Sequence, residues 1–284
     1  MRVGCVRYTA RMPATHSHSL RIVVLGSGSS GNAIAVTDGV TSVLIDCGFS
    51  ARETARRMAT CGLDAASTAA LLLTHEHSDH VRGVEVFSRR HPMPVFASDG
   101  TRRAAGLDRA VADPRTIECG AEERIGTLRV VAFATSHDAA QPLGFRVESD
   151  DGERVGIVTD TGIVTEQAHE ALAGCDLLAI ESNHDVRMLE RGRYPQFLKS
   201  RILSHRGHLA NAQSADALEQ LATDRLRHVI ALHRSRENNT EQLVLAELAS
   251  RLTALGLEVP VTAASQTLPC WAGAPHGTLF AEKD

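Results

Sequence analysis

The segment Thr74-His75-Glu76-His77-Ser78-Asp79-His80 follows directly on an apolar run at 69–73. The apolar run is typical of a buried strand, so the polar segment begins where that strand ends. The first two histidines alternate on an extended chain and can point the same way, whereas Asp79 and His80 lie at the following turn. One short loop therefore offers three imidazoles and a carboxylate to two adjacent points, a set that suits zinc, manganese or iron.

A metal site is the preferred interpretation of this loop. A single histidine is more often a surface or core-packing residue, but H-x-H-x-D-H at a strand end has few structural explanations. The pair His16-Ser17-His18 has the same spacing in a polar segment without a carboxylate, and we assign it no site. The sequence therefore predicts a divalent-metal centre at 75–80.

Composition gives the class of protein. The chain has 284 residues, 43% of them hydrophobic and 23% charged, with a net charge of -4, which excludes disordered, collagenous and fibrous classes. Its 14 histidines are many for this length, and its six cysteines show no C-x-x-C pair. We therefore expect reduced thiols in a cytoplasmic protein without a membrane segment or secretory signal.

The first third of the chain is typical of hairpin-connected strands. A strand is predicted at 20–25, followed by a glycine-serine turn at 26–31. Asp38-Gly39 and, later, Asp150-Asp151-Gly152 separate β-rich runs and predict two hairpins. A dinucleotide-binding turn needs a helix after the glycines, and the hairpin pattern at 32–46 argues against it.

Helices are expected after the first hairpin and towards the C-terminus. Ser50, with Glu53 three residues later, predicts the start of a helix that runs to 59. A second helix is predicted at 211–222 and a third at 240–255. The apolar stripe of the third helix is expected to comprise Leu243, Leu248, Leu252 and Leu255.

Hairpins followed by helix-strand alternation predict one α/β domain, with helices on both outer faces of packed sheets. We place this domain at 20–262, with a strand at 257–261 closing it. Residues 1–19 are expected to form a disordered extension and residues 263–284 a tail. Several of the predicted strands end in a histidine or an aspartate.

The metal motif and the residues after three later strands resemble those of the metallo-β-lactamase fold hydrolases over about 20–262. The resemblance implies a single domain folded as a four-layer αββα sandwich that holds two divalent metal ions. His75, His77 and His137 would hold one ion, Asp79, His80 and His233 the other, and Asp160 would bridge them. An aspartate at the bridging position points away from antibiotic hydrolysis.

Four further stretches resemble the YycJ/WalJ-like branch of this family, which is regarded as containing exonucleases that act on DNA. They are Ser-Gly-Ser-Ser-Gly-Asn at 27–32, Glu-Ser-Asn-His-Asp at 181–185, Gly-His-Leu-x-Asn at 207–211 and His-x-Ser-x-Glu-Asn-Asn at 233–239. The chain departs from the branch at Ala210, where serine is usual, and in its N-terminal extension. Neither departure affects an expected ligand.

Two metal ions would clamp the oxygens of an in-line displacement at phosphorus, with a metal-bridging hydroxide as the expected nucleophile. Asp79 is expected to orient it. His208 is a candidate for protonating the leaving oxygen or gripping the phosphate, and the alternative is a residue that bonds local backbone. His184 and His205 are weaker candidates. Surface or packing roles are expected for His91, His169, His228 and His276.

A basic stretch lies between two of these motifs. Between 186 and 208 the chain carries six arginines and lysines against Glu190 alone. Such a stretch suits a polyanion, because phosphate contacts supply most of the affinity for nucleic acids. The expected substrate-binding residues are Asn183, Arg193, Lys199, Arg201 and Arg234. Tyr194 and Phe197 could stack on unpaired bases, and the alternative is a solvated helix face.

Three functions follow from these observations. The first is a phosphodiesterase that acts as a 5'-to-3' exonuclease on single-stranded DNA ends, with two Zn²⁺ or Mn²⁺ ions, or iron. The second is a glyoxalase II-like thioesterase or lactonase, because fold and metal site do not fix the substrate. The third is a metal-stabilised scaffold without catalysis, against which the complete ligand set argues. The oligomeric state stays open.

Overall fold

Two mixed β-sheets form the centre of the protein. The computed structural model describes residues 19–273. Within this range the first sheet comprises β1 (Arg21–Gly26), β2 (Ala33–Thr37), β3 (Ser42–Ile45), β4 (Thr68–Leu72), β5 (Val95–Ala97), β6 (Pro114–Thr116) and β14 (Cys270–Gly273). Its strand order is β14-β1-β2-β3-β4-β5-β6. The pairs β3–β4, β4–β5 and β5–β6 are parallel, so these strands end at the same edge.

The second sheet mirrors the first in size. It comprises β7 (Glu122–Ile125), β8 (Leu128–Ala134), β9 (Leu143–Glu148), β10 (Arg154–Val158), β11 (Leu177–Glu181), β12 (His228–Leu232) and β13 (Val261–Ala263). Its strand order is β13-β12-β11-β10-β9-β8-β7. The strands β10 to β13 are parallel to one another, and β7 to β10 form an antiparallel meander.

Helices flank each sheet. Those that follow strands of the first sheet are α1 (Ala51–Thr60), α2 (Ser78–Val81), α3 (Val84–Arg90), α4 (Asp99–Ala104) and α5 (Leu107–Ala110). Those in the second half of the chain are α6 (Glu166–Leu172), α7 (Val186–Arg191), α8 (Gln196–Ile202), α9 (Asn211–Leu221) and α10 (Glu241–Ala254).

Alternation along the strands builds three apolar layers. In β1, Ile22 and Val24 belong to the core between the sheets, whereas Val23 and Leu25 pack with the helices outside the first sheet. In β12, Ile230 faces the core between the sheets and its neighbours pack with α6, α9 and α10. Both faces of each sheet are therefore buried, and the predicted four-layer αββα architecture is confirmed.

The predicted hairpin turns and the first helix cap are confirmed. Asp38-Gly39 connects β2 to β3, and the turn at 150–152 connects β9 to β10, both as antiparallel pairs. The Oγ atom of Ser50 accepts a hydrogen bond from the backbone N–H of Glu53 and caps α1. The glycine-serine turn leads into an antiparallel strand, so the dinucleotide-binding alternative is excluded.

The apolar stripe predicted for α10 is partly wrong. Leu248 and Leu252 are buried as expected, and Val244 completes the buried row at a spacing of four residues. Leu243 and Leu255 are 40% and 39% exposed. The helix contacts the sheet and α9 along a row narrower than the sequence periodicity suggests, because helical spacing alone does not set the width of the contact.

The C-terminal boundary also differs from the prediction. The strand expected at 257–261 is β13 (Val261–Ala263), displaced because Pro260 has no N–H to donate to the ladder. The first part of the predicted tail returns to the first sheet, where β14 pairs antiparallel with β1. The predicted extension at 1–19 and the remaining tail at 274–284 lie, apart from residue 19, outside the described residues.

Within residues 19–273, no helix combines the length and apolar character needed to cross a membrane. The five cysteines in the same range are unpaired. They are distributed over both halves of the sandwich and are buried or partly buried, so they contribute to packing.

Gly48 sets the close approach between the loop after β3 and the metal-motif loop. A Cβ atom on Gly48 would lie 1.6 Å from the backbone oxygen of Asp79. We expect Gly48→Ala to displace the loop that carries Asp79, to lower the free energy of unfolding by about 1–3 kcal/mol and to weaken metal binding. Urea unfolding of the metal-free protein and metal titration measure the two effects.

The control for this variant is Gly152→Ala, where the added Cβ meets no atom within 4 Å and only the left-handed φ of 78° is strained. It should cost stability without changing metal affinity. Equal metal affinities in the two variants would contradict the proposed role of Gly48.

Candidate metal centre

All predicted ligands come together at one edge of the sandwich. The predicted ligands His75, His77, Asp79 and His80 follow β4, His137 follows β8, Asp160 follows β10 and His233 follows β12. Because these strands run in the same direction within each sheet, their carboxyl ends meet at a common edge. The two sheets therefore each contribute side chains to one cluster.

The first candidate group is His75, His77 and His137, whose ligand atoms lie within 4.8 Å of one another. The Nδ1 atom of His75 is 3.0 Å from the Thr74 hydroxyl, and that of His137 is 3.1 Å from the carbonyl oxygen of Gly207. These contacts orient both rings so that their Nε2 atoms face the group. The Nε2 of His75 is buried and has no hydrogen-bond partner among the described residues.

Asp79, His80 and His233 form a second group with the same spacing limit. The Oδ2 atom of Asp79 is 3.7 Å from Nε2 of His80 and 3.8 Å from Nε2 of His233. Each ring is held from behind by a carboxylate. Asp46 Oδ2 is 2.7 Å from Nδ1 of His80, and Glu181 Oε1 is 3.0 Å from Nδ1 of His233.

Asp160 lies between the two groups. Its Oδ2 atom is 3.3 Å from Nε2 of His80, and its Oδ1 atom is 4.0 Å from Nε2 of His137. It also combines with His75 and His80 as a third candidate group. This position is the one expected for a carboxylate that bridges two ions.

A fourth candidate group comprises Asp160, Glu181, His208 and His233. In it, the Nδ1 atoms of His208 and His233 are 2.7 and 3.0 Å from Glu181 Oε1, which are hydrogen-bond distances. Glu181 also accepts from the backbone N–H of Thr161 at 2.8 Å. We therefore interpret Glu181 as the acceptor that orients both rings, and the buried Nε2 of His233 as the atom that faces a metal.

The backbone is strained at the same edge. Among residues 19–273, the non-glycine residues with positive φ are Asp46 at 59°, Asp160 at 50° and His233 at 50°. Asp46 and His233 directly follow the last residue of β3 and of β12, and Asp160 lies two residues after β10. Such conformations cost about 1–3 kcal/mol each and persist where the surrounding contacts impose them, often at functional sites.

Burial and mutual charge set the protonation states. Burial opposes ionisation of Asp160 and Glu181, but the neighbouring imidazoles outweigh it, so the pKa of Asp160 falls well below its usual range and that of Glu181 to about 2. Burial also opposes charge on His80 and His233, yet nearby carboxylates raise the pKa of His80 well above 6.5 and that of His233 to about 10. A metal ion would displace these protons on binding.

The cluster fits divalent metal ions. Two buried Nε2 atoms, those of His75 and His233, lack hydrogen-bond partners within the described range. A buried imidazole nitrogen without a partner is unfavourable unless another atom binds it. Imidazoles with ionised carboxylates are a donor set for zinc, manganese and iron.

A cavity of about 180 Å³ opens beside the first group. His137 and His208 form the part of its wall nearest the cluster. The rest of the lining combines polar with largely apolar side chains. The polar ones are Ser29, Asn183, Arg201 and Ser235, and the largely apolar ones are Tyr194, Leu198 and Ile202.

The predicted substrate-binding residues separate into two sets. Asn183 and Arg201 line the cavity, whereas Arg193, Lys199 and Arg234 are not among its lining residues. Asn183 also has a structural contact, because its Nδ2 donates to the carbonyl oxygen of His233 at 2.7 Å. Arg193 is exposed on the segment between α7 and α8, and the Lys199 ammonium donates to the carbonyl oxygen of Glu190 at 2.7 Å.

The remaining histidines differ in environment. The Nδ1 of His208 bonds Glu181 and not a local backbone group. His205 is exposed, and His184 is buried. His91 packs against Phe87 with ring centroids 4.9 Å apart and the rings tilted by 50°, and His228 contacts the Thr262 hydroxyl at 2.9 Å. His276 lies outside the described residues.

Two orienting carboxylates, Asp46 and Glu181, were not among the predicted site residues. Asp46 is a lone acidic residue after a strand, whereas Glu181 begins the Glu-Ser-Asn-His-Asp stretch, which was considered only for the family resemblance. The observation that strands end in aspartate or histidine could have identified Asp46. Asn32, quoted only as part of the 27–32 stretch, lies with its Nδ2 3.0 Å from Nε2 of His80.

Comparison with known proteins agrees with this geometry. Residues 41–233 match the family described as Beta-lactamase superfamily domain. The chain is 34% identical over 243 residues to Exodeoxyribonuclease YycJ of Bacillus anthracis, covering 84% of this chain and 92% of that protein. It is 33% identical over 243 residues to Exodeoxyribonuclease WalJ of Streptococcus pneumoniae, covering 84% and 90%.

The fold is also found among solved structures. The metallo-beta-lactamase fold protein YhfI from Bacillus subtilis superimposes with a TM-score of 0.68 at 14% identity, covering 88% of this chain and 99% of that one. At this identity, the likeness concerns the fold alone.

Asp46 provides a test of how the centre is held. Its Oδ1 accepts from the backbone N–H of Thr74, and its Oδ2 accepts from the Thr74 hydroxyl and faces Nδ1 of His80. In Asp46→Asn, the amide NH2 group would face either the Nδ1 hydrogen of His80 or the backbone N–H of Thr74, so two donors would meet. We therefore expect metal affinity to fall about 10–100-fold, as measured by competition with a chelating dye. Asp64→Asn, at an exposed helix cap, is the control. Unchanged affinity in Asp46→Asn would refute the orienting role.

Proposed function

The chain belongs to the beta-lactamase superfamily and is a metal-dependent hydrolase, and we propose that it removes nucleotides from the 5' end of single-stranded DNA. The observation that carries this proposal is the juxtaposition of the metal-ligand groups with a cavity that contains Arg201, Asn183 and His208. An anionic substrate that enters this cavity meets the centre directly. The two named relatives, both exodeoxyribonucleases, support a DNA substrate.

We assign the metal ligands from the contacts described above. His75, His77 and His137 would hold one divalent ion, Asp79, His80 and His233 would hold a second, and Asp160 would lie between them. Zn²⁺ and Mn²⁺ both suit this donor set, as does iron. Such ions, when bound, neutralise charge on a phosphate and lower the pKa of a water molecule.

Side chains around the centre position the attacking water and protonate the leaving oxygen. Asp79 is partly exposed and lies between His80 and His233. Its Oδ2 atom can therefore accept a hydrogen bond from the attacking water and hold it in line with the phosphorus atom. This places Asp79 on the side of the nucleophile.

His208 stands on the side of the leaving group. Its Nδ1 is fixed by Glu181 at 2.7 Å, so its Nε2 is the atom available to the substrate. With Nδ1 held by Glu181, the opposite ring nitrogen is placed to give a proton to the leaving oxygen. Glu181 acts through His208 and is a positioning residue.

The position of His208 also supports removal of nucleotides from the 5' end of the strand. The acid that protonates the leaving oxygen must lie next to the nucleotide that leaves, and His208 lines the cavity. When the leaving atom is a 3' oxygen, the nucleotide in the cavity is the one at the 5' end. Tyr194 and Leu198 offer that nucleotide an apolar wall for its base, and Ser29 and Ser235 offer hydroxyl groups to its polar part.

The basic stretch at 186–208 continues outward from the cavity as α7 and α8. No residue of α8 is buried, and Phe197 is 76% exposed. An exposed aromatic ring among arginines and lysines is the arrangement that binds single strands, by stacking on bases and contacting phosphates. Arg193 and Lys199 would contact the strand beyond the cavity.

The decisive experiment compares 5'-phosphorylated single-stranded DNA with lactoylglutathione, each in Mn²⁺ or Zn²⁺. We expect release of mononucleotides from DNA that carries a 5' label before any loss of a 3' label. The His75→Ala/Asp160→Ala double variant should lose both metal and activity. His208→Gln should keep its metal and lower the rate by about 10²–10⁴.

Cleavage of the thioester with DNA left intact would refute the nuclease and favour the small-molecule hydrolase. Early loss of the 3' label would refute the polarity alone. Full activity of His208→Gln would refute its role as acid and leave the substrate assignment in place.

The basic stretch makes a separate prediction. We expect Arg193→Ala/Lys199→Ala to weaken binding of single-stranded DNA and to reduce the salt dependence, because each lost phosphate contact lowers the slope of log K against log salt by about 0.7. Fluorescence anisotropy over a salt series measures both. The control is Arg89→Ala/Arg103→Ala, which removes exposed arginines from α3 and α4. If the slope of log K against log salt were the same in both variants, the basic stretch would be a solvated surface without a role in DNA binding.

A further inference from the structure

Asp138 follows the candidate ligand His137 and faces the same group of histidines. Its Oδ1 atom is 3.2 Å from Nε2 of His137 and 4.0 Å from Nε2 of His77. This oxygen is buried and has no hydrogen-bond partner among the described residues. An unpaired, buried carboxylate oxygen next to two imidazoles needs a hydrogen-bond donor or a cation to satisfy it.

The contacts of His137 indicate that its neutral ring does not donate a hydrogen bond to Asp138. The carbonyl oxygen of Gly207, 3.1 Å from Nδ1 of His137, can only accept, so Nδ1 carries a hydrogen. In the neutral ring the Nε2 atom then presents its lone pair to Oδ1 of Asp138. Two electron-rich atoms at this separation repel each other unless a cation lies between them.

The spacing is that of donor atoms around one ion. Donors at about 2.0–2.2 Å from a shared ion lie about 3–3.5 Å apart. The 3.2 Å from Oδ1 to His137 falls in this range, and the 4.0 Å to His77 is slightly wider.

We propose that Asp138 is a further ligand of the ion held by His75, His77 and His137, and that it makes this position favour ions with more than four ligands, such as Mn²⁺, over Zn²⁺. The proposal rests on the metal centre of the proposed function. Three imidazoles and Asp160 already complete the four ligands typical of zinc. A second carboxylate adds a hard oxygen donor, which suits manganese better.

Two contacts hold Asp138 in this orientation. Arg201 donates from Nε to the Oδ2 atom at 2.5 Å, which leaves Oδ1 as the oxygen that faces the histidines. The backbone N–H of Ala140 donates to Oε1 of Glu76 at 2.7 Å. Glu76 stands between His75 and His77 in the metal motif, so it ties the loop of Asp138 to the loop of two ligands. Arg201 and Glu76 are positioning residues in this arrangement.

The test compares the affinities of the metal-depleted full chain for Mn²⁺ and Zn²⁺, measured separately by competition with a chelating dye. We expect Asp138→Asn to lose about tenfold or more in Mn²⁺ affinity at one of two sites, with a smaller change for Zn²⁺. The matched control is Asp113→Asn, which also removes an aspartate paired with an arginine, at 2.9 Å, on the surface. It should bind both ions as the unaltered chain does.

A second variant tests contact with the ion directly. In Asp138→Cys, a thiolate replaces the carboxylate, and added Co²⁺ should produce thiolate-to-metal charge-transfer absorption that the unaltered chain lacks. This readout needs a bound ion and a side chain within reach of it, and it does not depend on activity.

Unchanged affinity for both ions in Asp138→Asn would overturn the inference while leaving the metal centre intact. Equal losses for Mn²⁺ and Zn²⁺ would overturn the claimed preference. Should Asp138→Asn fail to fold, absence of the charge-transfer band in folded, Co²⁺-loaded Asp138→Cys would overturn the inference instead. If the unaltered chain bound neither ion, the centre on which the proposed function depends would be wrong as well.

Discussion

The pairing of buried carboxylates with buried imidazoles is the constraint on which the site depends. Asp46, Asp160 and Glu181 are all removed from water at the meeting edge of the two sheets. An isolated carboxylate there would be very costly, and each of the three contacts a histidine. The same contacts occupy the Nδ1 atoms of His80 and His233 and turn their Nε2 atoms toward the centre. Charge burial and ligand orientation are therefore one arrangement.

The sandwich makes that arrangement rigid. Both faces of each sheet are covered, so the strands have little freedom to slide or tilt, and the strand ends stay fixed relative to one another. Left-handed backbone at Asp46, Asp160 and His233 is maintained because the surrounding layers impose it. Close packing at Gly48 joins the loop after β3 to the metal motif. The packing of the fold therefore fixes the positions of the donor side chains, which suits chemistry that needs preorganised ligands.

The segment proposed to bind the substrate is exposed, in contrast to the buried metal centre. The segment of α7 and α8 is largely exposed and carries a local excess of positive charge in a chain whose net charge is -4. Exposed cations contribute little to stability, but they attract a polyanion. Arg201 belongs to both regions, because it lines the cavity and bonds Asp138 beside the histidines. Binding of phosphate and the geometry of the metal centre are thus linked through one side chain.

The sequence alone determined the ligand-rich loop, the hairpins and the helix cap at Ser50, because each depends on residues within a few positions of one another. The order of His137, Asp160 and His233 after strands, read with the family resemblance, extended the predicted ligand set to both sheets. Only the tertiary structure gave Glu181 and Asp138 their contacts, because their partners, His208 and Arg201, lie 27 and 63 residues away in the sequence. The pairing of β14 with β1 was likewise undecidable from sequence, since an edge strand is chosen by which edge is free in space.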